Sequence, residues 1–148
     1  MVSTPRMVVD TNVLISALLA VNSIPGQAMT KAEDSGQLLA SAATLAEIDE
    51  VLRRPKFARF LSLETRLEFL RRYRDAVRMI LVSSPIHACR DPLDDKFLEV
   101  AVHGHADLVL TGDTDLLALD PFQHVRIVTP REFLAFTGTF PSELEDVL

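Results

Sequence analysis

Arg6-Met7-Val8-Val9-Asp10-Thr11-Asn12 decides the reading of this chain. Met7-Val8-Val9 is apolar without alternation and too short for a helix. That is the pattern of a strand buried on both faces, as in a parallel sheet. Asp10 stops the run, and Thr11 to about Ala20 reads as a helix. Ser23-Ile24-Pro25-Gly26 breaks that helix, and a second one follows to about Asp34, with Gly36 as its stop.

The same alternation continues along the sequence. Leu38-Leu39-Ala40 predicts a second strand. Ser41 or Thr44 can cap the next helix, which runs to about Arg54 before Pro55. Leu63, Leu67, Leu70, Val77 and Leu81 recur at steps of three, four or seven and predict one apolar stripe on a long helix. Leu81-Val82-Ser83 reads as a brief strand. Asp95 to His103 reads as a helix with Phe97, Leu98, Ala101 and Val102 inward. Leu108-Val109-Leu110 and Val125-Arg126-Ile127-Val128 predict the last strands, and Pro130 opens a final helix through Phe136. Apolar strands alternating with helices imply an α/β fold with a parallel sheet covered on both faces. The 148 residues fit one domain, with a core over about 6–136 and a C-terminal tail at 137–148. At 48% hydrophobic residues, the chain can build a full core without covalent staples.

Composition narrows the function classes. Cys89 is the sole cysteine, so no internal disulfide forms, and a lone thiol fits a reducing, cytoplasmic setting. No run of 18 apolar residues predicts a membrane span, and Asp10 and Asn12 interrupt the one stretch that resembles a signal peptide. The net charge of −6 argues against a nucleic-acid binder, but its distribution does not. Between Arg53 and Arg78 stand nine bases and three acids, +6 in all, which leaves −12 on the remainder. The bases include Arg53, Arg54, Lys56 and Arg59, a candidate nucleic-acid contact. A solvated helix face explains such a segment equally well.

Parallel sheets place ligands beyond the carboxyl ends of their strands. Asp10 and Asp113 both follow a strand there, Glu47 lies one or two turns into the third helix, and Asp95 starts a later one. Each has a structural alternative: Asp10, Asp94, Asp95, Asp113 and Asp115 are good helix caps, and Thr44-Leu45-Ala46-Glu47 matches a capping box. Two carboxylates about 5 Å apart repel by roughly 3 kcal/mol at an effective dielectric near 20. A convergent set therefore calls for a divalent cation, and oxygen ligands suit Mg²⁺ or Mn²⁺ rather than Zn²⁺.

The motifs Met7-Val8-Val9-Asp10-Thr11-Asn12-Val13, Glu47 in its leucine-patterned helix, Asp91-Pro92-Leu93-Asp94-Asp95-Lys96-Phe97-Leu98-Glu99 and Thr111-Gly112-Asp113-Thr114-Asp115-Leu116-Leu117 together resemble the PIN-domain family. Val51-Leu52-Arg53-Arg54-Pro55-Lys56-Phe57 is similar to the family's toxin branch. The resemblance implies a three-layer α/β/α sandwich and an Mg²⁺- or Mn²⁺-dependent endoribonuclease, the toxin of a toxin–antitoxin pair. It implies Asp10, Glu47, Asp95 and Asp113 as catalytic and metal-binding acids, with Asp115 a fifth ligand. Asn12, Thr111 and Asp94 would support them. RNA, a small antitoxin and a second copy of the chain are the implied partners. Alternatives are a DNA nuclease of the same fold, or a module that binds RNA or a protein without cutting.

Overall fold

The computed structural model describes residues 4–136; the tail expected at 137–148 lies outside the described residues. Five strands form one sheet: β1 (Arg6–Val9), β2 (Gln37–Ala40), β3 (Arg78–Met79), β4 (Leu108–Leu110) and β5 (Arg126–Val128). Their order is β3-β2-β1-β4-β5, and every pairing is parallel, as the apolar runs predict. The chain winds outward from β1 to β3, then crosses back to β4. The switch point of this doubly wound sheet therefore lies between β1 and β4, where such folds open a crevice.

Helices cover both faces. One core joins α1 (Thr11–Leu19), α2 (Ile24–Ser35), α3 (Ala42–Leu52), α4 (Leu63–Ala76) and α7 (Pro130–Ala135) to the sheet through Met7, Leu14, Leu38, Ile48, Tyr73 and Phe133. The other joins α5 (Asp95–His103) and α6 (Thr114–Leu117) through Val8, Leu39, Phe97, Leu98 and Leu116. This is the three-layer α/β/α sandwich. Among the described residues no single helix is long and apolar enough to cross a membrane. Ser23 caps α2, so that Ile24 and Pro25 sit in its first turn. Gly26 has no room for a side chain: a Cβ there would lie 2.2 Å from the Val21 carbonyl oxygen. The α1–α2 turn is fixed by that close approach.

Three expectations need correction. The third strand is Arg78–Met79, not 81–83, because α4 stops at Ala76 and Val77 is already extended. The stripe on α4 is also different: Arg66, Leu70 and Tyr73 face inward, while Leu63 and Leu81 are exposed. On α5, Val100 is fully buried and Val102 only partly so. Arg66 can turn inward because carbonyl oxygens surround its guanidinium. Nη1 donates to Leu52 (2.6 Å) and Arg54 (3.2 Å), and Nε to Leu61 (3.1 Å) and Ser62 (3.3 Å). Arg66 thus ties the end of α3 and the following loop to α4. Arg66→Met strands buried carbonyls and should cost about 2–3 kcal/mol, or roughly 6–12 °C in a thermal melt. A melting temperature within a degree of wild type would show that the loop carries itself.

Candidate active site

Asp10 and Asp113 leave β1 and β4 on either side of the switch point, and Thr111 joins them. The buried Thr111 hydroxyl donates to Asp10 Oδ2 at 2.7 Å and accepts from the Asp113 amide at 3.0 Å. Asp10 also caps α1 through Asn12 N (3.3 Å), and Asp113 caps α6 through Asp115 N (2.9 Å). The capping role anticipated for both acids is real, and it occupies one oxygen of each. Burial pushes the Asp10 carboxyl above its ordinary value; the Thr111 and Asn12 bonds offset part of that, and the charges of Glu47 and Asp113 add to it. Asp115 is exposed and joins the group through its amide rather than its carboxylate.

The adjacent acids at the start of α5 divide their roles. Asp94, the last residue of a 3₁₀ turn (Pro92–Asp94), lies within reach of the charges of Asp113 and Asp10. Its carboxyl is raised to about 6 by partial burial, by the charges of Asp113, Asp10 and Asp91, and by a hydrogen bond to Asp113. Asp95 is buried elsewhere: its Oδ1 accepts from the amides of Cys89 (2.8 Å) and Ala88 (3.1 Å). Burial alone would raise Asp95, but those bonds outweigh it and hold the carboxyl below its ordinary value. The expectation that Asp95 faces Asp10 and Asp113 is corrected: one step along the helix start turns the side chain toward the 88–89 loop.

Glu47 does not close a capping box. Ser41 and Thr44 form that box themselves, the Ser41 hydroxyl accepting from Thr44 N (3.2 Å) and Thr44 Oγ1 from Ser41 N (2.9 Å). The Glu47 carboxylate is left to accept from the Thr11 hydroxyl on one oxygen and from Lys96 Nζ, at 2.9 Å, on the other. Glu47 thus reaches the start of α1 and the start of α5, beside Asp10. Thr11 and Lys96 are the contacts that sequence reasoning missed. The signal for them was available, since Thr11 directly follows Asp10 and Lys96 lies two residues beyond Asp94.

Among the described residues, no three His, Cys, Asp or Glu side chains stand close enough to share one ion as they are placed. The acids are instead held in pairs: Asp94 with Asp113, Asp10 with Thr111, Glu47 with Lys96. The donor chemistry nonetheless fits a hard divalent cation, because the acids at the switch point offer only oxygen and raise one another's proton affinity. Asn12 departs from expectation as well. Its side chain is exposed and bonded to none of these acids.

The basic segment is thinner than its composition suggests. Arg66 is buried, Arg53 pairs with Asp49 (2.9 Å), and Arg71 pairs with Glu68 (2.6 Å) and Asp75 (3.1 Å). Arg54, Lys56 and Arg59 remain exposed around a second 3₁₀ turn (Pro55–Phe57), with no ion pair among the described residues. Phe60, 61% exposed, lies under Arg59. Arg54 follows the C-terminal end of α3 and leads into that turn.

Comparison with known proteins agrees with this fold. Residues 6–115 match the PIN domain family. The uncharacterized protein MJ1680 of Methanocaldococcus jannaschii is 33% identical over 139 residues, covering 87% of this chain and 89% of the relative. Among crystal structures, the fold is similar to that of VapBC2 from Rickettsia felis bound to a promoter DNA fragment. There the TM-score is 0.58 at 11% identity, over 84% of this chain and 98% of that one. It is also similar to VapC20 of Mycobacterium tuberculosis, a toxin that cleaves the sarcin–ricin loop, with a TM-score of 0.53 at 16% identity over 81% and 98%. With a family match across most of its length and acids at the switch point of the sheet, the chain belongs to the PIN-domain family.

Proposed function

We propose that this protein is a metal-dependent endoribonuclease acting in the cytoplasm as the toxin of a toxin–antitoxin pair. The observation that carries the nuclease reading is the Asp10–Thr111–Asp113 bridge, with the raised Asp94 against it. Asp10, Asp94 and Asp113 are the proposed ligands, which would have to draw together from their metal-free positions to share an ion, and Glu47 is an outer acid that orients water. When bound, Mg²⁺ or Mn²⁺ supplies positive charge for the scissile phosphate and makes water acidic enough to attack. Thr111 holds the two strand-end acids in register. Lys96 screens Glu47 from them, and β1 and β4 form a rigid base beneath. The fold likeness to VapC20 and VapBC2 supports the toxin role. A small antitoxin would cover the acidic rim, and a second copy of the chain would complete the assembly, with twice the chain's mass expected in solution.

The test is incubation of purified protein with end-labelled single-stranded RNA, with Mn²⁺ or with chelator. Cleavage that needs the ion and leaves 5′-phosphate and 3′-hydroxyl ends is the expected result. Products ending in 2′,3′-cyclic phosphate would rule this chemistry out. Cleavage of single-stranded DNA in preference to RNA would move the assignment to a DNA nuclease of the same fold.

The Arg54–Arg59 loop is the proposed backbone grip, with Phe60 available to stack on a base. A single-stranded contact contributes about 0.7 to the slope of log affinity on log salt. The triple variant Arg54→Ala, Lys56→Ala, Arg59→Ala should lower that slope by about two in a KCl titration followed by fluorescence anisotropy. An unaltered slope would place the RNA elsewhere.

A further inference from the structure

A cleft of about 530 Å³ opens beside the acid group, between the start of α1, the α1–α2 turn and the β5–α7 connection. Asn12, Gly112 and Asp113 line it, so the cleft is continuous with the rim. Its volume lies within the roughly 300–1,000 Å³ of small-ligand sites. Val13, Ile24, Pro25 and Pro130 give it apolar walls. Arg131 is its cation, exposed and without an ion pair among the described residues. Ser16 and Asn12 present polar side chains with no hydrogen-bond partner among the described residues.

These walls are built into the fold. The Gly26–Val21 approach fixes the turn that carries Ile24 and Pro25. On the opposite side, Thr129 and Glu132 form a capping box: Glu132 N donates to Thr129 Oγ1 (3.0 Å) and Thr129 N to Glu132 Oε1 (3.2 Å). That box orients Pro130 and Arg131. At Gly112 a Cβ would meet nothing within 4 Å, so the passage between cleft and rim is open.

A flat apolar group joined to an anion matches this lining. The walls accept a face, Arg131 accepts a phosphate, and Ser16 and Asn12 are free to read a base edge or a ribose hydroxyl. We propose that the cleft seats one nucleotide of single-stranded RNA next to the scissile phosphate and is where the protein selects its base. This rests on the nuclease reading for its place in the reaction, but not for its binding test.

The test is titration of the protein, in chelator, with a 5′-phosphorylated ribodinucleotide, followed by amide resonances in two-dimensional NMR. Resonances of Ser16, Ile24, Gly112 and Arg131 should shift. Ser16→Phe, which fills the cleft from an exposed helix position, should weaken binding at least tenfold, and Arg131→Ala about fivefold. Arg74→Ala, an exposed cation on α4, should change nothing, and a dinucleotide lacking bases should bind as weakly to wild type as the intact one does to Ser16→Phe. Chelator stops metal-dependent cleavage, so this pattern would support the nucleotide site even if no nuclease activity were found. Equal affinity in all variants, or undiminished binding of the base-free probe, would overturn the proposal. So would the same resonances moving with the peptide acetyl-Leu-Arg-Leu-amide and not with the dinucleotide, which would assign the cleft to a protein partner.

Discussion

Asp10→Asn should abolish RNA cleavage while raising the melting temperature of the metal-free protein. The two effects share one cause. Asp10 is 5% exposed and faces the charges of Glu47 and Asp113, so ionising it in the folded state is unfavourable. Asparagine keeps the acceptor that caps α1, and Thr111 can donate or accept, so the local bonds survive. Losing the charge relieves repulsion, and melting in chelator should rise by a few degrees. Cleavage should fall about 1,000-fold, because stabilising charge on the phosphate contributes several kcal/mol and each 1.4 kcal/mol is tenfold. Mn²⁺ should stabilise the wild type and leave Asp10→Asn unchanged. A variant that loses activity and stability together would identify Asp10 as a helix cap only. Full activity would remove it from the site.

How far the sequence carries depends on what each residue had to be read against. Asp10 and Asp113 follow unbroken apolar runs, and strand ends in a parallel sheet share one edge, so their convergence is legible from pattern alone. The choice between Asp94 and Asp95 is not. Neighbours at a helix start point about 100° apart, and the decision is made by the amides of Ala88 and Cys89, which no periodicity reveals. Arg66 misleads for the same reason, since four carbonyls brought together by tertiary structure make its burial affordable. Glu47 shows the opposite error. The sequence offers it a capping role, but Thr44 takes that place and frees the carboxylate for Thr11 and Lys96. The cleft combines residues 12–25 with 112–131 and has no local signature at all.

Metal and pH should act on stability in opposite directions, and the signs follow from the carboxyl groups. Asp94 sits near 6 when folded, against an ordinary value of 3.8, and Asp10 is also raised. Between the unfolded and folded values the native state holds more protons, so stability falls as pH rises through that window. The loss is complete above about pH 6 for Asp94, once its carboxyl is ionised in both states. Asp95 and Asp120 are displaced the other way, Asp120 chiefly by its hydrogen bond from Arg126 and Asp95 by the Cys89 and Ala88 amides. Their contribution is present above the ordinary carboxylate range and is lost on acidification below it. In chelator the melting temperature should therefore peak near the ordinary carboxylate value, at about pH 4, and decline toward about pH 6. A divalent ion binds the ionised acids, so its affinity rises over the same interval. At a concentration 100-fold above its dissociation constant it adds about 2.7 kcal/mol. With saturating Mn²⁺ the decline should flatten or reverse, so that the two melting curves diverge as pH rises. Curves that stay parallel from about pH 4 to 8 would show that these acids do not hold a cation. The case for a metal nuclease would then fail at its first step, while the fold and the Arg66 anchor would stand.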